Sequence, residues 1–359
     1  MKKEKINSIQ LGAIMSMLMI SSFLGIGMYS IIKIAHIDSY LSLVIAAFIG
    51  IIILKIMQKI FDYKKELTIS EKIDDLYGKI IGNIIKIILI ICIFFISTVL
   101  MYNISNFITS QFLKDTPTFL ITIVFGIIIY IVNVKGIEVM SRTILILYIM
   151  CIFLFTFSII GIWSKFDISN LKPFLEYGIE KPLKGSIYNI LLNVVPIFFI
   201  LIIPKKNIIK NEKTNKILSF FYIFSAAIKT TLIIITIGVL GIKLVSIYQY
   251  PEYMVMKKIS VFDFIDRIEN ILTIQWFYGI FSSISFYVYY ISNTIKKNNT
   301  NKKVIASIVI LIIFLSNIIF KNNIIFNNFT YKFLPGIMSI ILVIHIITFI
   351  KIIIHKKNT

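Results

Sequence analysis

Three clusters in this sequence have residue types and spacings that could do chemistry, and all three lie inside apolar runs. The first is Ser21-Ser22-Phe23-Leu24-Gly25-Ile26-Gly27, which sets two hydroxyls and two glycines midway along a run of Ile, Leu and Met. Glycine weakens a helix interior by about 0.5–1 kcal/mol relative to alanine, so the run is expected to break there. Broken backbone at membrane depth is tolerated only where it is buried in protein or lines a cavity. It then offers N–H and C=O groups to a small ligand. Its competing use is close packing of helices through small residues. The second cluster is Asn189, Asn193 and Pro196, followed by Ile197. Proline removes a backbone donor and kinks a helix. The third is Lys229, at the centre of its own apolar run. A lysine at the bilayer centre costs about 2.5–3.5 kcal/mol on insertion scales. All 17 acidic residues fall in loops or at the ends of runs, so no embedded carboxylate is expected to pair with it. Lys229 is therefore expected to face the interior. It acts there as a fixed cation in place of a bound metal ion or as an anchor for a carboxylate, or else it is satisfied by backbone oxygens.

Hydroxyls and amides recur elsewhere. Ser97, Thr98, Asn103 and Asn106 share one run, and Ser282, Ser283 and Ser285 share another. Such groups coordinate a substrate or join helices by hydrogen bonds. The remaining chemistry is sparse. His36, His345 and His355 are far apart, and Cys92 and Cys151 each fall inside an apolar run. No metal-ligand spacing exists, so no metal, no cofactor and no disulfide framework is expected. A polytopic membrane enzyme would need catalytic His, Asp or Arg groups in the membrane or in large outer loops, and an enzyme is not expected.

The elements that must position these residues are membrane helices. The chain of 359 residues is 58% hydrophobic, with a mean hydropathy of +0.92. Soluble domains sit near ~45–50% apolar. A spanning helix needs about 20 mostly apolar residues. Runs of that kind are predicted at approximately 8–33, 39–60, 80–108, 117–133, 141–164, 186–204, 217–242, 270–295, 303–320 and 333–354, numbered spans 1 to 10. The runs repeat from end to end, so residues 1–359 form a single polytopic membrane domain of class all-α. Lys2, Lys3 and Lys5 precede a run too long for a cleavable leader, and span 1 is expected to stay.

The net charge of +20 would suggest nucleic acid in a soluble protein. Here the lysines sit in short loops between spans, which fits topology and anionic lipid headgroups, and no nucleic-acid partner. With the N-terminus inside, the inner segments hold nearly twice as many Lys and Arg as the outer ones, which places both termini in the cytoplasm. Two outer loops, 165–185 and 243–269, are long enough for structure. The second mixes Glu252, Asp263, Asp266, Arg267 and Glu269 with aromatics and suits a short amphipathic helix at the interface. In the inner loop 61–79, Thr68-Ile69-Ser70-Glu71 is a candidate helix start.

The interruptions in spans 1 and 6 stand at matching positions of two five-span halves. Paired interruptions are the best sequence pointer to a transporter-type binding site. Several stretches then resemble a family, the B subunits of spore germination receptors, which are endospore germination permeases of the amino acid–polyamine–organocation superfamily. Gly25-Ile26-Gly27 looks like the family's glycine break in span 1. Lys135-Gly136-Ile137-Glu138-Val139-Met140-Ser141-Arg142 is similar to its basic–Gly–Ile–Glu–Val signature between spans 4 and 5. Asp167-Ile168-Ser169-Asn170-Leu171-Lys172-Pro173 with Gly178 resembles the segment after span 5. Phe264-Ile265-Asp266-Arg267-Ile268-Glu269 with Trp276 resembles the entry to span 8. Four motifs in the right order cover roughly residues 8–355. Two positions depart. The family often has Gly-x-Glu where this chain reads Pro196-Ile197-Phe198, and a proline after the span 1 break is replaced by Ile31 or Ile32.

The resemblance implies a leucine-transporter-like fold of 5 + 5 inverted helices with spans 1 and 6 broken. It implies a multi-pass protein of the spore inner membrane that binds a small germinant, an amino acid or similar, and signals through A-type and C-type receptor subunits. A secondary amino acid transporter driven by Na⁺ or H⁺, or a non-binding scaffold subunit, are the alternatives. The ligand site expected is Ser21, Ser22, Gly25, Ile26, Gly27, Ser97, Thr98, Asn193, Pro196, Ile197, Lys229, Ser282 and Ser283.

Overall fold

A computed structural model of the chain describes residues 5–209, 211–258, 268–296 and 301–358. Helices account for nearly all of it. Seven of them are long and apolar enough to cross a membrane among the described residues, and the molecule is an all-α membrane protein. The first of the seven, Ser8–Asp62, folds back at a turn over His36–Asp38. A shorter apolar helix, Thr118–Val134, accompanies them. Among the described residues the one strand pairing is a two-residue parallel bridge, Ile6–Asn7 with Ile208–Ile209, which ties the segment before α1 to the end of span 6.

Span 1 is two helices, α1 (Ser8–Ser21) and α2 (Met28–Ala35), separated by a wide turn over Phe23–Gly27. Asn7 starts α1 by accepting from Gln10 N, while the Gln10 side chain accepts from Asn7 N, the reciprocal capping that satisfies two orphan donors. After the turn comes α3 (Ser39–Asp62), and then α4 (Ile69–Gln111). Thr68 and Glu71 form the capping box that opens α4, so the predicted helix start in the inner loop runs directly into span 3 and bends at Gly78. Next are α5 (Thr118–Val134) and α6 (Ile137–Ile162).

Span 6 loses the regular α-helix after Asn189. It begins as α7 (Glu180–Asn189), widens over Ile190–Val194, and tightens to a 3₁₀ segment over Val195–Ile202 with Pro196 near its start. The proline cannot continue the α ladder, and Leu192 through Ile203 are all buried. The chain continues through α8 (Thr214–Ile247), α9 (Pro251–Met256), α10 (Ile268–Ile295), α11 (Lys302–Ile319), α12 (Asn323–Lys332) and α13 (Leu334–Asn358).

Two groups pack around the breaks. One joins α1, α3, α7 and α8, with α2 against α7. The other joins α4, α5, α10 and α11, and α10 also packs on α1 and α6. The breaks therefore lie between the groups. One expectation is corrected here. The outer segment α9 is not an interfacial helix, because Pro251, Glu252, Tyr253, Val255 and Met256 are all buried and it packs on α8 and α10. Phe264–Arg267 of the predicted span 8 entry lie outside the described residues.

Candidate functional site

At the span 1 break the backbone leaves the helical region at Leu24 (ψ 126°) and Gly25 (φ 70°). A positive φ of this size is nearly strain-free only for glycine. Gly25 also has no room for a side chain. A Cβ there would overlap the indole of Trp276 and sit 2.9 Å from Asn103 Oδ1. Gly27 is tight as well, since a Cβ would meet the Asn193 amide at 2.8 Å. The two breaks touch through side chains. Ser22 donates to Asn193 Oδ1 at 3.1 Å, and Asn193 Nδ2 donates to Asn189 Oδ1 at 2.8 Å.

The freed backbone groups of the break are held from outside span 1. Asn103 Nδ2 on α4 donates to Leu24 O at 3.2 Å. Gly25 N donates to Glu252 Oε1 at 2.6 Å. Glu252 sits on α9, and burial pushes its carboxyl up to about 7, with the N–H groups of its own backbone and of Gly25 opposing. An aromatic wall backs the break. Trp276 lies 4.2 Å from the Phe107 ring and 5.2 Å from the Tyr250 ring, centroid to centroid, and the Tyr250 hydroxyl accepts from Asn106 Nδ2 at 2.5 Å. Three buried polar atoms around it have no hydrogen-bond partner among the described residues: Asn103 Oδ1, Glu252 Oε2 and Trp276 Nε1. Buried polar groups left unpaired cost about 1–3 kcal/mol each, and such groups call for an explanation.

Two small cavities adjoin the break. One, with room for about one water, is lined by Ser22, Ile26, Val99, Pro196 and Tyr287, among others. The second, bounded by Leu24, Glu252, Met256 and Trp276, leaves about 30 Å³ open to water centres, enough for about two. A larger groove of about 500 Å³ between α5 and α11 is lined by Phe119, Ile127, Ile310 and Phe314, with no charged group. In a membrane protein it is a lipid-facing surface.

The predicted residues divide accordingly. Ser22, Gly25, Ile26, Gly27, Asn193 and Pro196 come together at the breaks, with Ile197 buried beside them. Ser21 and Ser283 bond to each other at 2.6 Å and so join α1 to α10. Ser97, Thr98 and Ser282 are buried and bond to carbonyls one turn back in their own helices, Ile93, Phe94 and Tyr278. Lys229 stands apart. It is buried and lines a cavity with Met19, Leu43, Asn189, Val194 and Tyr222, without an ion pair among the described residues. Nothing in the sequence places Glu252 at the break. It belongs to a loop, as read, yet it is 5% exposed and touches the break. Its neighbours Asn103 and Trp276 also join the site. Trp276 was visible only as part of a motif, and Asn103 only as one amide among several.

The family profile described as Spore germination protein matches residues 5–325. Spore germination protein XB of Bacillus anthracis is 23% identical over 300 residues, covering 83% of each chain. Spore germination protein KB of Bacillus subtilis (strain 168) is 24% identical, covering 70% of this chain and 68% of its own length. Spore germination protein A2 of the same organism is 24% identical, covering 72% and 71%.

Proposed function

We propose, for a chain that belongs to the spore germination protein family, that it is the small-molecule-sensing membrane subunit of a germination receptor. A germinant binds between the broken spans 1 and 6, and the change passes to A-type and C-type partner subunits. The observation that carries this reading is the unwound backbone at Leu24–Gly25, contacted by Asn103, Glu252 and Trp276, each of which carries a buried polar atom without a partner among the described residues. A ligand at the break would supply partners for those atoms.

In this reading the chain crosses the membrane ten times in two inverted halves, with both termini in the cytoplasm. The turn at His36–Asp38 divides Ser8–Asp62 into two spans, and the excess of inner lysines supports the orientation. The membrane is that of the spore. The site recognises and does not catalyse.

Signalling follows from differential affinity. A ligand shifts a two-state equilibrium only by as much as it prefers one state. The wide turns at Phe23–Gly27 and Ile190–Val194 interrupt the regular α-helical ladder of both spans. The Ser22–Asn193 contact links them, so a ligand at one break biases both. The same broken helices also suit a secondary transporter, and directional uptake in proteoliposomes separates the two.

The test is Gly25→Ala. A Cβ at φ 70° and against the Trp276 ring deforms the break. The expected result is loss of the germination response in spores that carry normal amounts of the protein. A normal response at normal abundance would reduce Gly25 to packing and remove the break as the site.

A further inference from the structure

Only half of the Glu252 carboxylate is used. Oε1 accepts from Gly25 N at 2.6 Å, while Oε2 is buried without a partner among the described residues. On another side of Gly25, Asn103 spends its Nδ2 on Leu24 O and leaves Oδ1 buried and unpaired. That oxygen lies 2.9 Å from where a Cβ on Gly25 would stand. The break thus presents two unpaired acceptors, one of them on a carboxylate. A ligand that satisfies acceptors must bring donors, and a ligand that meets a buried carboxylate gains most by bringing positive charge.

Negative charge has no comparable seat. The backbone donor that the break exposes, Gly25 N, is already occupied by Glu252. None of the described side chains lining the cavity beside Glu252 is basic. The unpaired Trp276 Nε1 is a single neutral donor. A metal ion fits poorly, because hard cations such as calcium gather six or more oxygens, whereas Glu252 is the one carboxylate among the described residues lining this cavity, and Leu24, Leu232, Met256 and the Trp276 ring make up half of its walls. An ammonium group is satisfied by two or three acceptors, and it gains further from an aromatic face. Room for about two waters suits a head group of that size.

We propose that the break selects a cationic amine, an organic ammonium held by Glu252 Oε2 beside Trp276, and that it does not recognise a carboxylate on the same ligand. This rests on the reading of the break as the ligand site. It departs from an amino-acid-like ligand in one respect: a zwitterion brings a carboxylate to a place where the protein already supplies one.

The full chain, in lipid nanodiscs at pH 8, is followed by thermal unfolding with three matched sets of probes. The amines are ethylamine, isobutylamine and phenethylamine. The zwitterions are alanine, valine and phenylalanine, which are the same skeletons with a carboxylate. The third set is the N-acetyl derivatives of those amino acids, which lack the ammonium. At least one amine is expected to stabilise saturably, with at least tenfold tighter binding than its zwitterion. Glu252→Gln, which keeps the shape and removes the charge, is expected to weaken that binding at least tenfold, and Gly25→Ala to abolish it. Zwitterions binding as tightly as amines, or amine binding unchanged in Glu252→Gln, overturns the proposal. Stabilisation by N-acetyl probes that disappears in Gly25→Ala overturns the amine class and leaves the break as a ligand site. If no probe in any set stabilises in a Gly25-dependent way, the proposal falls together with the reading beneath it.

Discussion

Two of the regions that bury charge treat it in opposite ways. At the end of α3, Lys72 is 1% exposed and donates to the carbonyls of Ile60 and Phe61 at 2.8 and 3.3 Å. Beside it, buried Lys205 pairs with Asp62, whose other oxygen accepts from Asn215 Nδ2 at 2.8 Å. Lysines there meet the orphan carbonyls and the negative end of a helix, and every charge has its counterpart. At the span 1 break, Glu252 is buried with one oxygen spent and one idle, and Asn103 and Trp276 are idle beside it. A completed charge cluster is a joint. An incomplete one around unwound backbone is a place kept for something else to complete.

In the proposed topology the joint lies at the cytoplasmic face and α9, packed over the break, at the outer one. Single cysteines at exposed Lys172 and Lys258 on one side, and at Lys213 and Lys296 on the other, test this in a background lacking Cys92 and Cys151. The first two are expected to react with an impermeant maleimide from outside and the second two only after permeabilisation. This outcome is all or none, and one exchanged position breaks the topology.

Much of this was legible in the sequence, for physical reasons that also mark the limit. The span 1 break is written locally in Gly25 and Gly27, and the irregular span 6 in Pro196. The start of α4 is written in Thr68 and Glu71, three residues apart. Glu252 could not be read in this way. The partner that makes it a core residue, Gly25, is 227 residues away in sequence. Its segment, Pro-Glu-Tyr-Met-Val-Met, is too mixed for hydropathy to distinguish an interfacial helix from a buried one. Serines mislead in the other direction. Ser97 and Ser282 look like ligand groups in sequence, but each spends its hydroxyl on the carbonyl one turn back in its own helix, which already accepts the ladder N–H.

The next difference between the regions is in stability against response. Lys72→Met leaves the Ile60 and Phe61 carbonyls buried without their donor, at a cost of about 1–3 kcal/mol. Lower abundance and a lower unfolding midpoint are expected, with an unchanged ligand concentration for half-maximal response per receptor. A shifted half-maximal concentration at normal stability would make the joint part of the sensing device.

The break should also give stability a pH dependence. Burial raises the Glu252 carboxyl from 4.5 to about 7, so folding favours its protonated form. Its contribution is fully present below about pH 4.5 and is lost as pH rises through 7, on the order of 3 kcal/mol in all. The Tyr250 phenol beside it is pushed up further by burial, above the phenol value near 10, and does not titrate in this range. In ligand-free nanodiscs the unfolding midpoint is expected to fall between pH 5 and 7.5, and Glu252→Gln to flatten that slope. An identical slope in the variant would assign the dependence to other groups.

The smallest effect is expected at Lys229, which belongs to neither region. It is buried beside Met19, Leu43, Asn189 and Tyr222 and makes no ion pair among the described residues. Asn189 and Asn193 lie between it and Ser22 at the break. A lone buried ammonium is a cost without a counterpart, and a cation one layer behind the site opposes a cationic ligand. Methionine keeps most of the stem volume and removes the polar end. Lys229→Met is therefore expected to hold or raise the unfolding midpoint by a few degrees. Germination rate per receptor is expected to stay within about threefold of wild type, with and without Na⁺. A tenfold loss at unchanged abundance would show that the lysine acts as a built-in cation. It would then join Glu252 as a second charge at the site, and a zwitterionic ligand spanning the two would replace the amine.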